Sequence, residues 1–359
     1  MLTGHGGNVY ALARKIGCSP LAITDMSSNV NPIGPPPGLL EYLSDNLNSA
    51  TRLPEVDGGS IIDAFSKNYC VAPENILVAN GTTQFIYTIP LGISSRKVLI
   101  VGPTYADYKD ACIMHNVEYE YLITDESKEF ALDMEQISRK IKGFDTVFIC
   151  NPNNPTGTMI PADKLRSLVR SHPDVIFVID ESYLPFVVNG ENESMALSMG
   201  ENVILLNSMS KIFKIPGLRI GFLISSKPVI QRLRRYALPW SVNSLAALSV
   251  KYVMEHSVLI DDFIGKTQIF LEREKRLFCE AVEEKTEIKL FPGKASFLLA
   301  RLPGELTSDM VCNYLAEKKI LIRDCTNFTG LSDKFIRVSL KTEKSNNLLA
   351  RLLVDYSVE

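Results

Sequence analysis

The stretch that decides the fold covers residues 202–225 and reads NVILLNSMSKIFKIPGLRIGFLIS. Its two apolar runs, NVILL and RIGFLI, have the continuous Ile, Leu and Val character of strands covered on both faces. Between them lie Ser208, Ser210, Lys211 and Arg219. A desolvated lysine becomes a nucleophile, and hydroxyls with a guanidinium suit a phosphate. The stretch therefore predicts a reactive lysine beside an anion site, and a solvated loop lysine is the alternative that it leaves open.

Four earlier runs resemble these two strands, and several of them end in small or polar residues. Such ends are where ligands bind in an open α/β sheet. Helical stretches alternate with the strands, which indicates a three-layer α/β/α large domain with a mostly parallel sheet over residues 41–245. The four runs are NILVANGT (75–82), KVLIVGP (97–103), TVFICNPN (146–153) and VIFVIDES (175–182).

The pattern changes after residue 245. An amphipathic stretch over 246–285 predicts one or two long helices, and SFLLARL, ILIRD and FIRVSLK predict strands beside a further helix. Strands mixed with helices in this way indicate a smaller α+β domain over 246–359. Residues 1–40 contain NPIGPPPG and are too rich in proline for regular structure throughout. They are expected to form an arm that joins the small domain.

Composition limits the possible functions. The chain has 359 residues, 46% of them hydrophobic, and a net charge of -3, which argues against a nucleic-acid binder. No apolar run reaches the length of about 18 residues that crosses a bilayer, and the first residues lack a secretory core. The seven cysteines form no CxxC pair, so neither disulfides nor a metal site is predicted. We expect a cytoplasmic protein that contacts no membrane.

Two further strand ends and a loop carry candidate functional groups. Asp180 ends the apolar run VIFVID, where its carboxylate needs a partner such as a pyridinium nitrogen, a metal or a ribose. Asn154 lies in the turn CNPNNPTG. Gly81 and Thr82, in ANGTTQ, have the pattern of a phosphate site at a helix N-terminus, although an ordinary helix start has the same pattern.

Four of these motifs occur together in a known order: NPNNPTG, DESY, SMSK and PGLRIG. In this order and spacing the chain resembles the fold-type I pyridoxal phosphate enzymes, in the aminotransferase branch that includes histidinol-phosphate aminotransferase. The resemblance covers nearly the whole chain. It implies the pyridoxal-phosphate-dependent transferase fold, pyridoxal 5'-phosphate as cofactor, and a homodimer.

The resemblance also implies roles around the cofactor ring. Lys211 would bind the cofactor as a Schiff base, and Asp180 would keep the ring nitrogen protonated. Asn154 and Tyr183 would hydrogen-bond the phenolic oxygen. Tyr105 would stack on the ring face, and a packed tyrosine at a strand end is the alternative for this residue.

The phosphate groups would have separate partners. For the cofactor phosphate the resemblance implies five residues: Gly81, Thr82, Ser208, Ser210 and Arg219.

For the substrate, Arg337 would pair with a carboxylate, since an unpaired arginine within the run FIRVSL would be costly. Arg323 and His5 are the candidates for a substrate phosphate, with Asn31 and Asn154 also lining the site. A surface histidine is the alternative for His5.

A narrower resemblance rests on HGGNVYALARKIG, DMSSNVNPIGPPPG, LPWSVNSLAAL, FPGKASFLL and ILIRDCTNFTGL. These stretches are similar to the L-threonine O-3-phosphate decarboxylases of cobalamin biosynthesis. This implies decarboxylation of L-threonine O-3-phosphate to (R)-1-aminopropan-2-yl phosphate, or of O-phospho-L-serine to ethanolamine phosphate, for the cobamide nucleotide-loop linker. Histidinol-phosphate aminotransferase, with 2-oxoglutarate as acceptor, is the alternative.

Two positions depart from the relatives' pattern. Leu53, in TRLPEVDGG, stands where relatives carry a tyrosine that reaches the partner subunit's cofactor phosphate. Tyr183 is the aminotransferase-like residue where the decarboxylases often have phenylalanine, so the aminotransferase alternative stays open. A non-catalytic protein of this fold could dispense with the lysine, and the presence of Lys211 with its partners favours an enzyme.

Overall fold

The computed structural model describes residues 6–358. Its strands are β1 Thr24–Asp25, β2 Ile76–Ala79, β3 Lys97–Gly102, β4 Glu118–Ile123, β5 Thr146–Cys150, β6 Ile176–Asp180, β7 Val203–Ser208, β8 Gly221–Ser225, β9 Lys289–Leu290, β10 Phe297–Arg301, β11 Ile320–Leu321, β12 Arg323–Asp324 and β13 Phe335–Ser339.

The α-helices follow the same chain order. They are α1 Val9–Ile16, α2 Leu39–Asp45, α3 Gly59–Tyr69, α4 Thr82–Gly92, α5 Asp107–Met114, α6 Met134–Lys140, α7 Ala162–Ser171, α8 Met209–Ile212, α9 Lys227–Arg234, α10 Ser244–Glu255, α11 Ser257–Glu283, α12 Ser308–Glu317 and α13 Glu343–Val358. Within residues 6–358, none of these helices is both long and apolar enough to span a membrane.

A seven-stranded sheet with the order β2-β8-β7-β6-β5-β3-β4 forms the centre of the molecule. All its neighbouring pairs are parallel except those of β8, which runs antiparallel to both β2 and β7. Strands β5 and β8 are buried along their whole length, which explains their continuous apolar character. The predicted α/β architecture with a mostly parallel sheet is confirmed.

Strand β4 was not among the predicted strands. It lies at the sheet edge beside β3, with one side in solvent, and its sequence EYEYLI therefore alternates polar and apolar residues. Its two glutamates, Glu118 and Glu120, form ion pairs with Lys97 on β3 at 3.0 and 2.8 Å. An edge strand of this kind lacks the continuous apolar run by which the central strands were predicted.

A second sheet, with the antiparallel order β12-β13-β10-β9, is built from the carboxyl-terminal part of the chain. The amphipathic stretch before it forms α10 and α11, so the prediction of one or two long helices is confirmed. Near the amino terminus, β1 pairs in parallel with β11, and Thr24 lies opposite Ile320. The division of the chain near residues 40 and 245 stays a prediction.

Candidate active site

A cavity of about 230 Å³ lies where the ends of the central strands meet the second sheet. It brings together residues from the amino-terminal segment, the large sheet and the small sheet. The predicted site residues that line it are Gly81, Thr82, Tyr105, Asn154, Tyr183, Ser208, Ser210, Lys211, Arg219, Arg323 and Arg337.

Lys211 reaches the cavity because β7 ends at Ser208 and the chain turns at once into the short helix α8. Its Nζ lies 4.9 Å from the centre of the Tyr183 ring. The backbone carbonyl of Lys211 accepts a hydrogen bond from the N–H of Asn31 at 2.9 Å, which ties the lysine to the amino-terminal segment. The arrangement places a primary amine against an aromatic face inside a partly enclosed cavity.

Asp180 ends β6 and is buried. Its carboxylate accepts hydrogen bonds from the Tyr108 hydroxyl and from the backbone N–H of Ser182, both at 2.9 Å. Burial, together with the nearby Asp180, raises the pKa of Tyr108, so its phenol keeps the proton that it donates. Tyr105 lines the cavity and meets the Tyr108 ring edge-on at 5.8 Å. The carboxylate is therefore held in a fixed orientation.

The NPNNPTG turn uses its three asparagines differently. Asn151 makes two hydrogen bonds to the backbone of Ile160, at 2.9 and 2.7 Å. Asn153 donates to a backbone carbonyl of the neighbouring loop at 2.8 Å. Asn154 faces the cavity, where its carbonyl oxygen accepts a hydrogen bond from Arg337. The first two asparagines thus brace the turn, and the third is available to a ligand.

Gly81, Thr82 and Arg219 form an anion-binding corner. Thr82 begins helix α4, so the unpaired N–H groups of the first turn point toward the cavity end of the helix. Gly81 has φ +79°, and a Cβ placed there would lie 2.7 Å from Nη2 of Arg219. Only glycine lets the guanidinium lie this close to the start of the helix. The corner has the cation, the backbone donors and the close approach that a phosphate needs.

The two serines before Lys211 differ in their bonding. Ser208 lines the cavity and, within the described residues, makes no capping hydrogen bond to its helix. Ser210 also lines the cavity, but its hydroxyl donates to the carbonyl of Ile220 at 3.1 Å. The Ser208 hydroxyl would therefore be available to bind a phosphate. The Ser210 hydroxyl would first have to give up its hydrogen bond to the Ile220 carbonyl. Both contacts stay predictions.

Arg337 is buried on β13 and is held from three sides. Its Nη1 donates to Asn154, its Nη2 donates to the carbonyl of Ser27 at 2.5 Å, and its Cζ lies 5.1 Å from the centre of the Phe297 ring. Its Nε has no hydrogen-bond partner among the described residues. A buried guanidinium with an unused donor beside a cavity indicates a site for an anionic ligand.

Arg323 lies directly opposite Arg337 in the β12–β13 pair. Its Nη2 donates to Asn327 at 2.6 Å, and its Cζ lies 5.0 Å from the centre of the Phe328 ring. Burial lowers the pKa of both arginines, the effect of removing a cation from water. The second sheet thus presents two guanidinium groups to one cavity.

One predicted position has its side chain engaged elsewhere, and its role as a substrate contact stays a prediction. Asn31 does not line the cavity, because its amide donates to the carbonyl of Ile212 at 2.8 Å and to the hydroxyl of Thr267 at 2.9 Å. The asparagine two residues earlier, Asn29, lines the cavity instead. His5, the other candidate from this part of the chain, lies outside the described residues.

Sequence reasoning missed several lining residues: Gly6, Ser27, Ser28, Asn29 and Phe328. All of them lie within the stretches HGGN, DMSSNVNP and TNFTGL that carried the narrower resemblance. Their motifs were visible, but a single sequence does not show which of several adjacent polar side chains turns inward.

These residues fit pyridoxal phosphate. Lys211 supplies the amine for its aldehyde, and the corner around Gly81 a place for its phosphate. Asp180 does not itself line the cavity, but it lies buried near the lining residue Tyr105 and would supply a carboxylate for the ring nitrogen. Among residues 6–358, no aspartate or glutamate lines the cavity, so the lining suits an anionic ligand.

Comparison with known proteins agrees with this chemistry. A family model described as "Aminotransferase class I and II" matches residues 60–353. The threonine-phosphate decarboxylase of Salmonella typhimurium is 31% identical over 98% of this chain and 96% of its own length. The adenosylcobalamin biosynthesis bifunctional protein CobDQ of Leptospira interrogans is 32% identical over 96% of this chain, which spans 40% of that longer protein.

Two solved structures have the same fold. The L-threonine-O-3-phosphate decarboxylase of Porphyromonas gingivalis has a TM-score of 0.83 and 28% identity, over 94% of this chain and 100% of its own. The histidinol-phosphate aminotransferase of Clostridium acetobutylicum has a TM-score of 0.85 and 26% identity, over 94% of this chain and 99% of its own. The chain is therefore a member of the class I and II aminotransferase family of pyridoxal-phosphate-dependent enzymes, and within that family it resembles the threonine-phosphate decarboxylases.

Proposed function

We propose that the protein is a pyridoxal-phosphate-dependent decarboxylase of a small phosphorylated amino acid. The first candidate reaction converts L-threonine O-3-phosphate to (R)-1-aminopropan-2-yl phosphate for the cobamide nucleotide-loop linker. The observation that carries the proposal is the pair Arg323 and Arg337, two buried guanidinium groups opposite each other at one cavity. The 31% identical decarboxylase of Salmonella typhimurium supports the same reaction.

The number of cations explains why the substrate should carry two anionic groups. Among the residues that the structure describes, four cationic side chains line the cavity: Lys211, Arg219, Arg323 and Arg337. The first holds the cofactor aldehyde and the second its phosphate. Two buried guanidinium groups then remain, and each needs an anion. An amino acid that bears a phosphate supplies a carboxylate for Arg337 and a phosphate for Arg323.

When bound, pyridoxal phosphate supplies an electron sink for the α-carbon of an attached amino acid. Asp180, oriented by Tyr108, would hold the proton on the ring nitrogen. Lys211 would hold the cofactor covalently and, once its Nζ is free, would carry a proton to the α-carbon. The two arginines would bind the substrate at two separate points, so that binding energy at the phosphate orients the carboxylate.

The proposed site should accept two phosphorylated amino acids, because they differ by a single methyl group. O-phospho-L-serine, which would give ethanolamine phosphate, lacks one methyl group. A methyl in a pocket is worth about 1–3 kcal/mol, so both compounds are substrates in the proposal and differ by about 10- to 200-fold.

The test is a product assay on the cofactor-loaded protein. It receives phosphothreonine, phosphoserine, or histidinol phosphate with 2-oxoglutarate, while carbon dioxide, phosphorylated amine and glutamate are measured. Carbon dioxide from a phosphorylated amino acid, absent in Lys211→Ala, is the expected result. Glutamate from histidinol phosphate, without carbon dioxide from the other two, would overturn the proposal.

Histidinol-phosphate aminotransferase is the second candidate function. Tyr183 favours it, since this tyrosine is the aminotransferase-like residue, and so does the likeness to the Clostridium acetobutylicum enzyme. Arg323 and Arg337 would then bind the two carboxylates of 2-oxoglutarate. The same assay separates the two functions, because only the aminotransferase forms glutamate.

We also propose a homodimer in the cytoplasm. Large apolar side chains are exposed in two segments: Leu53 is 79% exposed, Val56 56%, Leu238 64% and Trp240 48%. The backbone N–H of Trp240 donates to the carbonyl of Val56 at 2.9 Å, so the two segments form one surface. A second copy that covers this surface would remove it from water. Sedimentation of the wild type and of Trp240→Arg tests this, and a wild-type monomer would contradict it.

A further inference from the structure

Asn29 connects the amino-terminal segment to the wall of the cofactor cavity. Its Nδ2 donates to the hydroxyl of Tyr183 at 3.1 Å, and its Oδ1 accepts a hydrogen bond from the hydroxyl of Ser339. Ser339 ends β13 and donates its backbone N–H to the carbonyl of Met26 at 2.8 Å. Both ends of the Asn29 amide are therefore used, and the side chain is buried in one orientation.

The hydrogen bond from Asn29 determines whether the Tyr183 hydroxyl acts as a donor or as an acceptor toward the cavity. A phenol oxygen that accepts a hydrogen bond keeps its own O–H for another acceptor. Among the described residues, the structure gives the Tyr183 hydroxyl no second hydrogen-bond partner, and Tyr183 lines the cavity. We propose that Asn29 is a positioning residue that directs the Tyr183 O–H into the cavity as a donor to the ring oxygen of pyridoxal phosphate.

The charged and titratable neighbours are consistent with a tyrosine that donates. The cations of Lys211, Arg219 and Arg337 line the same cavity, and the Lys211 ammonium lies over the Tyr183 ring. The nearby Asp180 is already bound to Tyr108 and Ser182, and Tyr105 is a protonated phenol because burial, with Asp107 nearby, raises its pKa. Within the described lining no carboxylate competes for the Tyr183 proton.

The proposal predicts a spectroscopic effect. A donor at the ring oxygen stabilises the charge left there when the Schiff base of Lys211 and the cofactor loses its proton, so it lowers the pKa of that Schiff base. Asn29→Asp keeps the shape of the side chain and the oxygen that Ser339 contacts, but replaces the amide donor by an acceptor. The Tyr183 proton would turn toward the new carboxylate, and the Schiff-base pKa would rise.

The experiment is a pH titration of the visible absorbance of the cofactor-loaded protein without substrate. It compares the wild type, Asn29→Asp, Tyr183→Phe and the double variant. We expect Asn29→Asp to raise the Schiff-base pKa by about half a unit to one unit, the size of an ordinary hydrogen bond. We expect no further rise when the substitution is added to Tyr183→Phe.

Two results would overturn the proposal. An unchanged pKa in Asn29→Asp would show that the amide does not orient the phenol. An equal rise in the Tyr183→Phe background would show that the new charge acts directly on the Schiff base.

Ser339→Ala is the second variant, in case Asn29→Asp does not fold. It removes only the hydrogen bond to the amide oxygen of Asn29, so the Schiff-base pKa should rise by less than in Asn29→Asp. This rise, too, should be absent in the Tyr183→Phe background. The proposal rests on the cofactor site and not on the substrate, so the titration is informative even if the protein is an aminotransferase.

Discussion

Arg323 lies directly opposite Arg337 across the antiparallel strands β12 and β13, and both side chains line one cavity. Like charges directly opposite each other destabilise a sheet pair. Within the described residues, the guanidinium groups donate hydrogen bonds to neutral oxygens, those of Asn327, Asn154 and Ser27. The carboxylates of Asp324 and Asp25 offset part of the repulsion, and a bound anion would offset more, which links the stability of the second sheet to occupancy by ligand.

Replacement of either arginine by methionine should separate their roles. Arg323→Met should lower kcat/KM for phosphothreonine by about 10- to 100-fold, the value of a hydrogen bond to a charged group, because the phosphate loses its guanidinium. Any reaction of unphosphorylated threonine should change little, because that substrate has no phosphate for Arg323 to bind. Arg337→Met should impair both substrates alike, because both carry the carboxylate. Steady-state kinetics with the two amino acids measures this difference.

Arg301 provides a matched control for these substitutions. It lies on the neighbouring strand β10, is exposed, and pairs with Glu126 at 2.9 Å outside the cavity. Because exposed ion pairs contribute only about 0–1 kcal/mol, Arg301→Met should leave both reactions unchanged. Equal losses of kcat/KM in Arg323→Met, Arg337→Met and Arg301→Met would contradict the assigned roles.

Gly81→Ala should weaken cofactor binding. The new Cβ would lie 2.7 Å from Nη2 of Arg219, so the guanidinium must leave the start of α4. We expect the affinity for pyridoxal phosphate to fall by about 10-fold or more, because the phosphate loses a charge-assisted hydrogen bond. Titration of the cofactor-free protein, followed by absorbance, gives the dissociation constant.

Gly17→Ala is the control for Gly81→Ala, because it introduces backbone strain without a steric clash. Gly17 also has a positive φ, +69°, but a Cβ there would meet no atom within 4 Å. Both variants should lose stability because of the positive φ, Gly17→Ala by about 1 kcal/mol and Gly81→Ala by more, since its ψ of 161° lies in a region that is essentially restricted to glycine. Only Gly81→Ala should lose cofactor affinity, and a similar loss in Gly17→Ala would refute the steric explanation.

Tyr108→Phe should reduce both stability and cofactor affinity. It removes the hydroxyl that donates to the buried Asp180 at 2.9 Å, and an unmet buried acceptor costs about 1–3 kcal/mol. Asp180 would then be less firmly oriented, and we expect an affinity for pyridoxal phosphate about 10-fold lower. Tyr252→Phe is the control, since it removes a hydroxyl that donates to the carbonyl of Pro37 at 2.7 Å, and should lose stability without losing cofactor affinity.

Glu181 should make the stability depend on pH. Burial, with the charge of Asp180 added, raises the pKa of the Glu181 carboxyl to about 7, although hydrogen bonds from Met195 and Ser194 oppose the rise. Between the ordinary value of 4.5 and about 7, the folded chain holds a proton that the unfolded chain releases. The free energy of unfolding therefore falls as the pH rises through this range, by roughly 1–3 kcal/mol.

Urea unfolding at several pH values checks this expectation. Glu181→Gln cannot titrate and keeps an oxygen for the Met195 N–H, so its free energy of unfolding should lack this decrease between pH 4.5 and 7. A decrease of the same size in the variant would assign the pH dependence to other groups.

Much of the central sheet and of the cofactor site was predictable from the sequence. Strands such as β5, with every residue buried, are recognised by composition alone, and their ends place Asn154, Asp180 and Lys211 near one edge. The edge strand β4 was not predictable in this way, because a strand with one side in solvent has fewer apolar residues. The motifs also indicated the amino-terminal segment, but not which asparagine faces the cavity.

What the sequence by itself determined is the chemistry: a lysine and a carboxylate near strand ends together with a set of arginines, in the order of a known family. What only the tertiary structure decided is which groups meet. The pairing of β12 with β13 puts Arg323 against Arg337, and the path of residues 25–31 turns Asn29 toward Tyr183 while Asn31 binds Thr267. Such contacts depend on register and on the direction of a few side chains, and both are set by packing between segments far apart in the chain.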